Sequence, residues 1–182
     1  MIFFDIETTS LKADVGILVA TGFILPDGEI KVLFANSLEE EKNLIENTAK
    51  LLIKNKNEEI VIWYSKFDIP FLVSRAIKHG LDISGIYDLK IVDLCKLIQE
   101  NLKFRSNKLD EVAKFFGIKK NLSVTGKNVH LLYFKAIKGD EKAKNEIVEH
   151  CKDDLLAMKE VYEKVKAYVP KWMNSSKKVN SA

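Results

Sequence analysis

The stretch Met1-Ile2-Phe3-Phe4-Asp5-Ile6-Glu7-Thr8-Thr9-Ser10 decides how the chain folds. Its apolar opening suits a strand buried in a core, and Thr8-Thr9-Ser10 ends that strand in a turn. Side chains alternate across a strand, so Asp5 and Glu7, two positions apart, project from one face at its carboxyl end. Two neighbouring acids can simply solvate a strand end. The apolar Phe3 and Phe4 before them argue for burial instead, where like charges repel unless a cation or protons intervene. A divalent metal is the simplest compensator.

Working outward, Val15 to Leu25 is again β-branched and apolar, Pro26-Asp27-Gly28 is a turn signal, and Glu29 to Ala35 alternates charged and apolar residues. Three antiparallel strands follow. Ser37, with Glu39-Glu40-Glu41 after it, opens a helix expected over residues 38–56, with Leu44, Ile45, Leu51 and Leu52 on its apolar face. Ile60-Val61-Ile62-Trp63 then reads as a central parallel strand reached through that helix. Pro70 suits the first turn of a helix ending near His79, with Gly80 as its stop. Helices are expected over 91–101, 108–116, 129–138 and 140–167, the last capped by Asp140. This order belongs to the α/β class. Residues 1–170 read as one domain, and 171–182, rich in Ser, Asn and Lys, as a disordered tail.

Composition narrows the setting more than the function. At 182 residues and 47% hydrophobic content the chain has room for one sizeable core. Cys95 and Cys151 stand far apart with no clustered Cys/His spacing, so neither a disulfide framework nor a zinc site is indicated. No basic leader and no membrane-length apolar run is present, so a soluble cytoplasmic protein is expected. The balance of 29 basic to 26 acidic residues is too even to imply a nucleic-acid partner by itself.

Two further positions carry acids where chemistry collects. Asp68 follows a buried strand, at a strand end where α/β proteins gather ligands, although an aspartate there also serves simply as a helix cap. On the last long helix, Ile147, Cys151, Met158, Val161, Tyr162 and Val165 form one apolar stripe, and Asp154 falls inside it. Asp153, about 100° away around the helix, is expected to face solvent. A lone carboxylate facing a core costs several kcal/mol or takes up a proton, so Asp154 needs a partner. His150, one turn earlier, lies at the edge of the stripe, where a solvated or core-edge histidine is equally at home.

Taken together, Phe4-Asp5-Ile6-Glu7-Thr8-Thr9-Ser10-Leu11, Phe67-Asp68-Ile69-Pro70-Phe71-Leu72 and Glu149-His150-Cys151-Lys152-Asp153-Asp154 resemble, in order and spacing, the three motifs of the DEDD exonuclease superfamily. The likeness covers residues 1–166 and extends to the proofreading domains of family B DNA polymerases and to stand-alone archaeal and bacterial relatives. It implies a ribonuclease H-like fold, a mixed five-stranded sheet flanked by helices. It also implies two Mg²⁺ or Mn²⁺ ions held by Asp5, Glu7, Asp68 and Asp154, and hydrolysis from the 3′ end of single-stranded or frayed nucleic acid, with a replication or repair partner. By the same resemblance His150 orients or deprotonates the attacking water, and Thr8, Leu11 and Phe67 lie near the terminal nucleotide. His150 stands four residues before Asp154, where one subgroup has a tyrosine; the histidine of the other subgroup stands five before. Trp63-Tyr64-Ser65 replaces the asparagine usual before the second motif.

The same fold can also serve a noncatalytic nucleic-acid- or partner-binding module, or a structure-selective endonuclease. Asp93 is expected to cap a helix or support the site. Lys103-Phe104-Arg105-Ser106-Asn107-Lys108 interleaves basic residues with an aromatic; it suits contact with a phosphate or base, and a solvated loop equally well.

Overall fold

The computed structural model describes residues 1–120 and 128–179, with side chains as far as residue 174. Strand β1 (Ile2–Thr8) is the middle of a mixed five-stranded sheet. On one side it pairs antiparallel with β2 (Leu18–Ile24), which pairs antiparallel with the edge strand β3 (Ile30–Phe34). On the other it runs parallel to β4 (Glu59–Ile62), and β4 runs parallel to β5 (Lys90–Asp93). The sheet order is β3-β2-β1-β4-β5.

Alternation along β1 explains its central place. Ile2, Phe4 and Ile6 face one core, shared with Leu44, Ile45 and Leu52 of α1 (Glu41–Lys54) and Ile69, Phe71 and Leu72 of α2 (Ser65–Lys78). Phe3 faces the other core, shared with α3 (Leu94–Asn101), α4 (Leu109–Phe115) and α6 (Glu141–Val165). Asp5 and Glu7 fall on this second face, beside α6. Helix α5 (Val129–Ala136) packs on α6, with Tyr133 in a third apolar cluster beside Val19 and Ile147.

Several expectations are corrected by the structure. Residues 91–93, the expected opening of a helix, belong to strand β5: Ile91 and Val92 pair with Ile60 and Val61, and the helix begins only at Leu94. The first helix starts at Glu41 rather than 38. Helix α2 starts at Ser65, so Pro70 is its sixth residue rather than part of its first turn. Asp68 is therefore the fourth residue of the helix rather than its N-cap, and its carboxylate accepts from its own backbone and that of Ile6; the amide of Ser65 donates to Asp93 Oδ2 at 3.0 Å. Asp93 also accepts from Lys96 N at 2.8 Å, so one carboxylate terminates both α2 and α3. The tail expected from 171 begins inside α7 (Val169–Val179), where Trp172 and Met173 pack on the second core; residues 180–182 lie outside the described residues. No helix among the described residues is long and apolar enough to cross a membrane.

Candidate metal centre

Each acid reaches the site from a different requirement of the fold. Asp5 and Glu7 are carried by β1, and the pairing with β2 slips between Glu7 and Thr8, which turns the chain away just past the second acid. Asp5 lies opposite Gly22 on β2. A Cβ at Gly22 would fall inside contact distance of Cys151 Sγ and 2.7 Å from Leu155 Cδ1. Helix α6 thus lies directly on the strand backbone, and only glycine leaves room for it. That approach brings His150 and Asp154 to the end of β1.

A cleft of about 380 Å³ opens there, lined by Asp5, Glu7, His150 and Asp154 together with Thr8, Leu11 and Phe67. Seven of the eight residues expected at the site thus surround one cavity. Asp68 is the eighth; it is buried behind the others, with its carboxylate bonded by the backbone of Ile6. Its charge still acts on Asp5 and Glu7. Leu11 is 79% exposed at the rim.

His150 is buried between two carboxylates, with Nε2 3.8 Å from Glu7 Oε1 and Nδ1 3.5 Å from Asp154 Oδ1. Both separations exceed a good hydrogen bond, and Nδ1 has no hydrogen-bond partner among the described residues. Asp153, expected to face solvent, is buried at 7% exposure, while the Asp154 side chain keeps 21%. The correction follows from packing: α6 is covered by α4 and α5 as well as by the sheet, so its buried surface is wider than one stripe, whereas Asp154 opens onto the cleft.

Electrostatics at the site are dominated by crowded, dehydrated acids. Burial, then repulsion from Glu7, Asp68 and Asp154, pushes Asp5 well above the usual carboxylate range. Burial, followed by Asp154, does the same to Glu7. Asp68 is pushed up to about 8, chiefly by burial, with Asp93 adding to the rise. One cation answers part of this charge: Lys120 Nζ lies 2.5 Å from Asp154 Oδ1 and 2.5 Å from Asp110 Oδ1. Burial works against the Lys120 charge, but the two carboxylates outweigh it and raise its pKa. The Asp154 oxygen is an ion-pair partner without a well-directed hydrogen bond.

The donor set fits a hard divalent cation. Single donor atoms of Asp5, Glu7 and Cys151 lie within 4.8 Å of one another. Cys151 is the weak member, because burial and then the nearby carboxylates hold its thiol well above its usual range and keep it neutral. Oxygen donors from Asp5 and Glu7, with Asp154 across the cleft, are what Mg²⁺-like ions prefer.

Lys120, Asp110 and His130 also border or bridge this site and were not singled out in the sequence. Each lies on a segment whose local pattern says only loop or exposed helix. Gly22 did carry a signal, a glycine inside an otherwise β-branched strand.

The sequence matches the RNase_H superfamily over residues 2–166. An uncharacterized protein of Methanocaldococcus jannaschii is 32% identical over 163 residues, covering 87% of this chain and 90% of the relative. Among solved structures, the family B DNA polymerase of the hyperthermophilic archaeon Pyrobaculum calidifontis superposes with a TM-score of 0.76 at 20% identity. That match covers 92% of this chain, which spans 24% of the polymerase's length, and it shows a shared fold.

Proposed function

The chain belongs to the RNase_H superfamily, and from that premise we propose that it is a metal-dependent 3′–5′ exonuclease acting on single-stranded or frayed ends exposed in replication or repair. The observation that carries the reading is the assembly of Asp5, Glu7 and Asp154 around one cleft with Asp68 behind them, at a cost in charge repulsion that a packing role does not explain.

Asp5, Glu7 and Asp154, with Asp68, are the residues to hold Mg²⁺ or Mn²⁺. A bound pair of such ions lowers the pKa of water and stabilises the entering and leaving oxygens of a phosphodiester. Thr8, Leu11 and Phe67 border the same cleft and are placed to contact the terminal nucleotide. His150, buried between Glu7 and Asp154, would orient the attacking water or hold its proton. Lys120 offsets part of the negative charge at Asp154.

Digestion of end-labelled single-stranded DNA and RNA with Mg²⁺ or Mn²⁺ tests the reading. Wild type should release nucleoside monophosphates from the 3′ end, and Asp5→Ala and Asp154→Ala should lose more than about a hundredfold of that rate. Cuts within a circular single strand would assign an endonuclease instead. Strand binding with no metal-dependent cleavage would assign a binding module.

A further inference from the structure

A second cavity, of about 400 Å³, is lined by Phe104, Arg105, Ser106, Glu111, Lys114 and Phe115. Its floor is aromatic. Phe104 meets Phe115 edge-on at 4.8 Å and Phe116 at 6.1 Å, and Phe115 meets Phe116 at 5.3 Å. Packing the three rings together fixes Phe115 yet leaves it 69% exposed, so a large π surface is held facing outward. Next to Ser106 in the chain, the carbonyl of Asn107 accepts from Trp63 Nε1 at 3.2 Å and from Cys95 Sγ at 3.5 Å, which ties the segment carrying Phe104 and Arg105 to the fold.

Charge identifies the occupant. Between residues 103 and 120 there are six basic and two acidic residues, while the whole chain has 29 and 26, so the rest of the protein is close to neutral. At the cavity itself Arg105 and Lys114 face the single acid Glu111 beside the exposed ring of Phe115, and net positive charge beside an aromatic platform is the combination that holds a nucleic-acid single strand through its bases and phosphates. An apolar peptide would gain nothing from Arg105 and Lys114.

Helix α4 connects the two cavities. Asp110 borders the metal centre, and Lys114, one turn later on the same face and about 6 Å along the axis, borders the aromatic cavity. We infer that this cavity is a base-stacking subsite for single-stranded nucleic acid, in which Phe115 stacks a base a few nucleotides upstream of the reacting end and Arg105 and Lys114 hold the adjoining phosphates. The inference rests on the exonuclease reading for its direction along the strand, but strand binding itself can be measured apart from cleavage.

Affinity for a fluorescent single strand of roughly twelve nucleotides, measured by anisotropy in EDTA, provides that separation. Phe115→Ala should weaken binding by about tenfold, Phe115→Trp should retain it with tryptophan emission quenched by the strand, and Arg105→Ala should weaken it and reduce its salt dependence. Thermal melting of each variant establishes that it is folded. Affinity equal to wild type in both Phe115→Ala and Arg105→Ala overturns the subsite and leaves the patch as a surface for another protein. Strand binding that depends on Phe115, in a protein that degrades no strand with Mg²⁺ or Mn²⁺, overturns the exonuclease reading while the subsite stands. Metal-dependent digestion with binding indifferent to Phe115 does the reverse.

Discussion

Glu41 shows how a buried charge is satisfied away from the metal centre. It accepts from Leu18 N at 2.8 Å, Arg75 Nε at 2.7 Å and Arg75 Nη2 at 2.5 Å, and shares a bond of 2.7 Å with His79 Nε2. Arg75 Nη1 also donates to the carbonyl of Ala13 at 2.9 Å, pinning the loop that carries Leu11 to the cleft. Burial alone would raise the pKa of Glu41, yet the bonds from Arg75, His79 and Leu18 outweigh it and hold the group below its ordinary 4.5. A depressed carboxylate contributes stability that is complete above the unfolded pKa and is lost as pH falls through the lower folded value. Urea denaturation should accordingly show a steep loss of stability below about pH 4.5 that Glu41→Gln flattens. At neutral pH, Arg75→Ala should cost about 3–5 kcal/mol, since it strands a buried charge. None of this was visible in Glu39-Glu40-Glu41, which read as three equivalent helix-opening acids. Only the third turns inward.

At the scale of elements, the contact between β2 and α6 decides the site. The apolar stripe put Asp154 on the face of α6 that meets the sheet, where it opens onto the cleft rather than into the core, but the stripe does not state how far the helix stands from the sheet. Gly22 sets that distance. Gly22→Ala should displace α6, cost about 1–3 kcal/mol in urea denaturation, and reduce cleavage by more than the lost fraction of folded protein. Trimming Cys151 to Ala in the same chain should recover part of both losses; a double-mutant cycle with no coupling would sink the idea. Strand β5 teaches the complementary point. Lys90–Asp93 runs straight into α3, and four residues of β-branched and charged character do not separate a strand from a helix start by periodicity. Its identity comes from pairing with β4.

For the whole molecule, the raised carboxylates link stability to metal. A carboxylate whose folded pKa lies above its unfolded value stabilises the fold below the unfolded pKa, and that contribution is lost as pH rises through the folded one. For Asp68 the window runs from its ordinary 3.8 to about 8, and Asp5 and Glu7 act in the same direction. Metal-free protein should therefore melt at progressively lower temperature between about pH 5 and pH 8, and Asp68→Asn should reduce the slope. Mn²⁺ competes with those protons, so its stabilisation should grow with pH, to about 2.7 kcal/mol at a hundredfold excess over its Kd. Melting curves that Mn²⁺ leaves unchanged at pH 8 would remove the metal centre from consideration.

By itself the sequence determined the α/β class, the central strand with Asp5 and Glu7 on one face, and the helix face that carries Asp154. These follow from period and spacing, which are local properties of a chain. The tertiary structure decided which side chains share the cleft. It buried Asp68 behind the other acids and Asp153 under neighbouring helices, set Lys120 between Asp110 and Asp154, and brought Phe104 against Phe115. Such outcomes depend on how closely elements approach and what covers them, and at this site a single missing Cβ at Gly22 sets the approach.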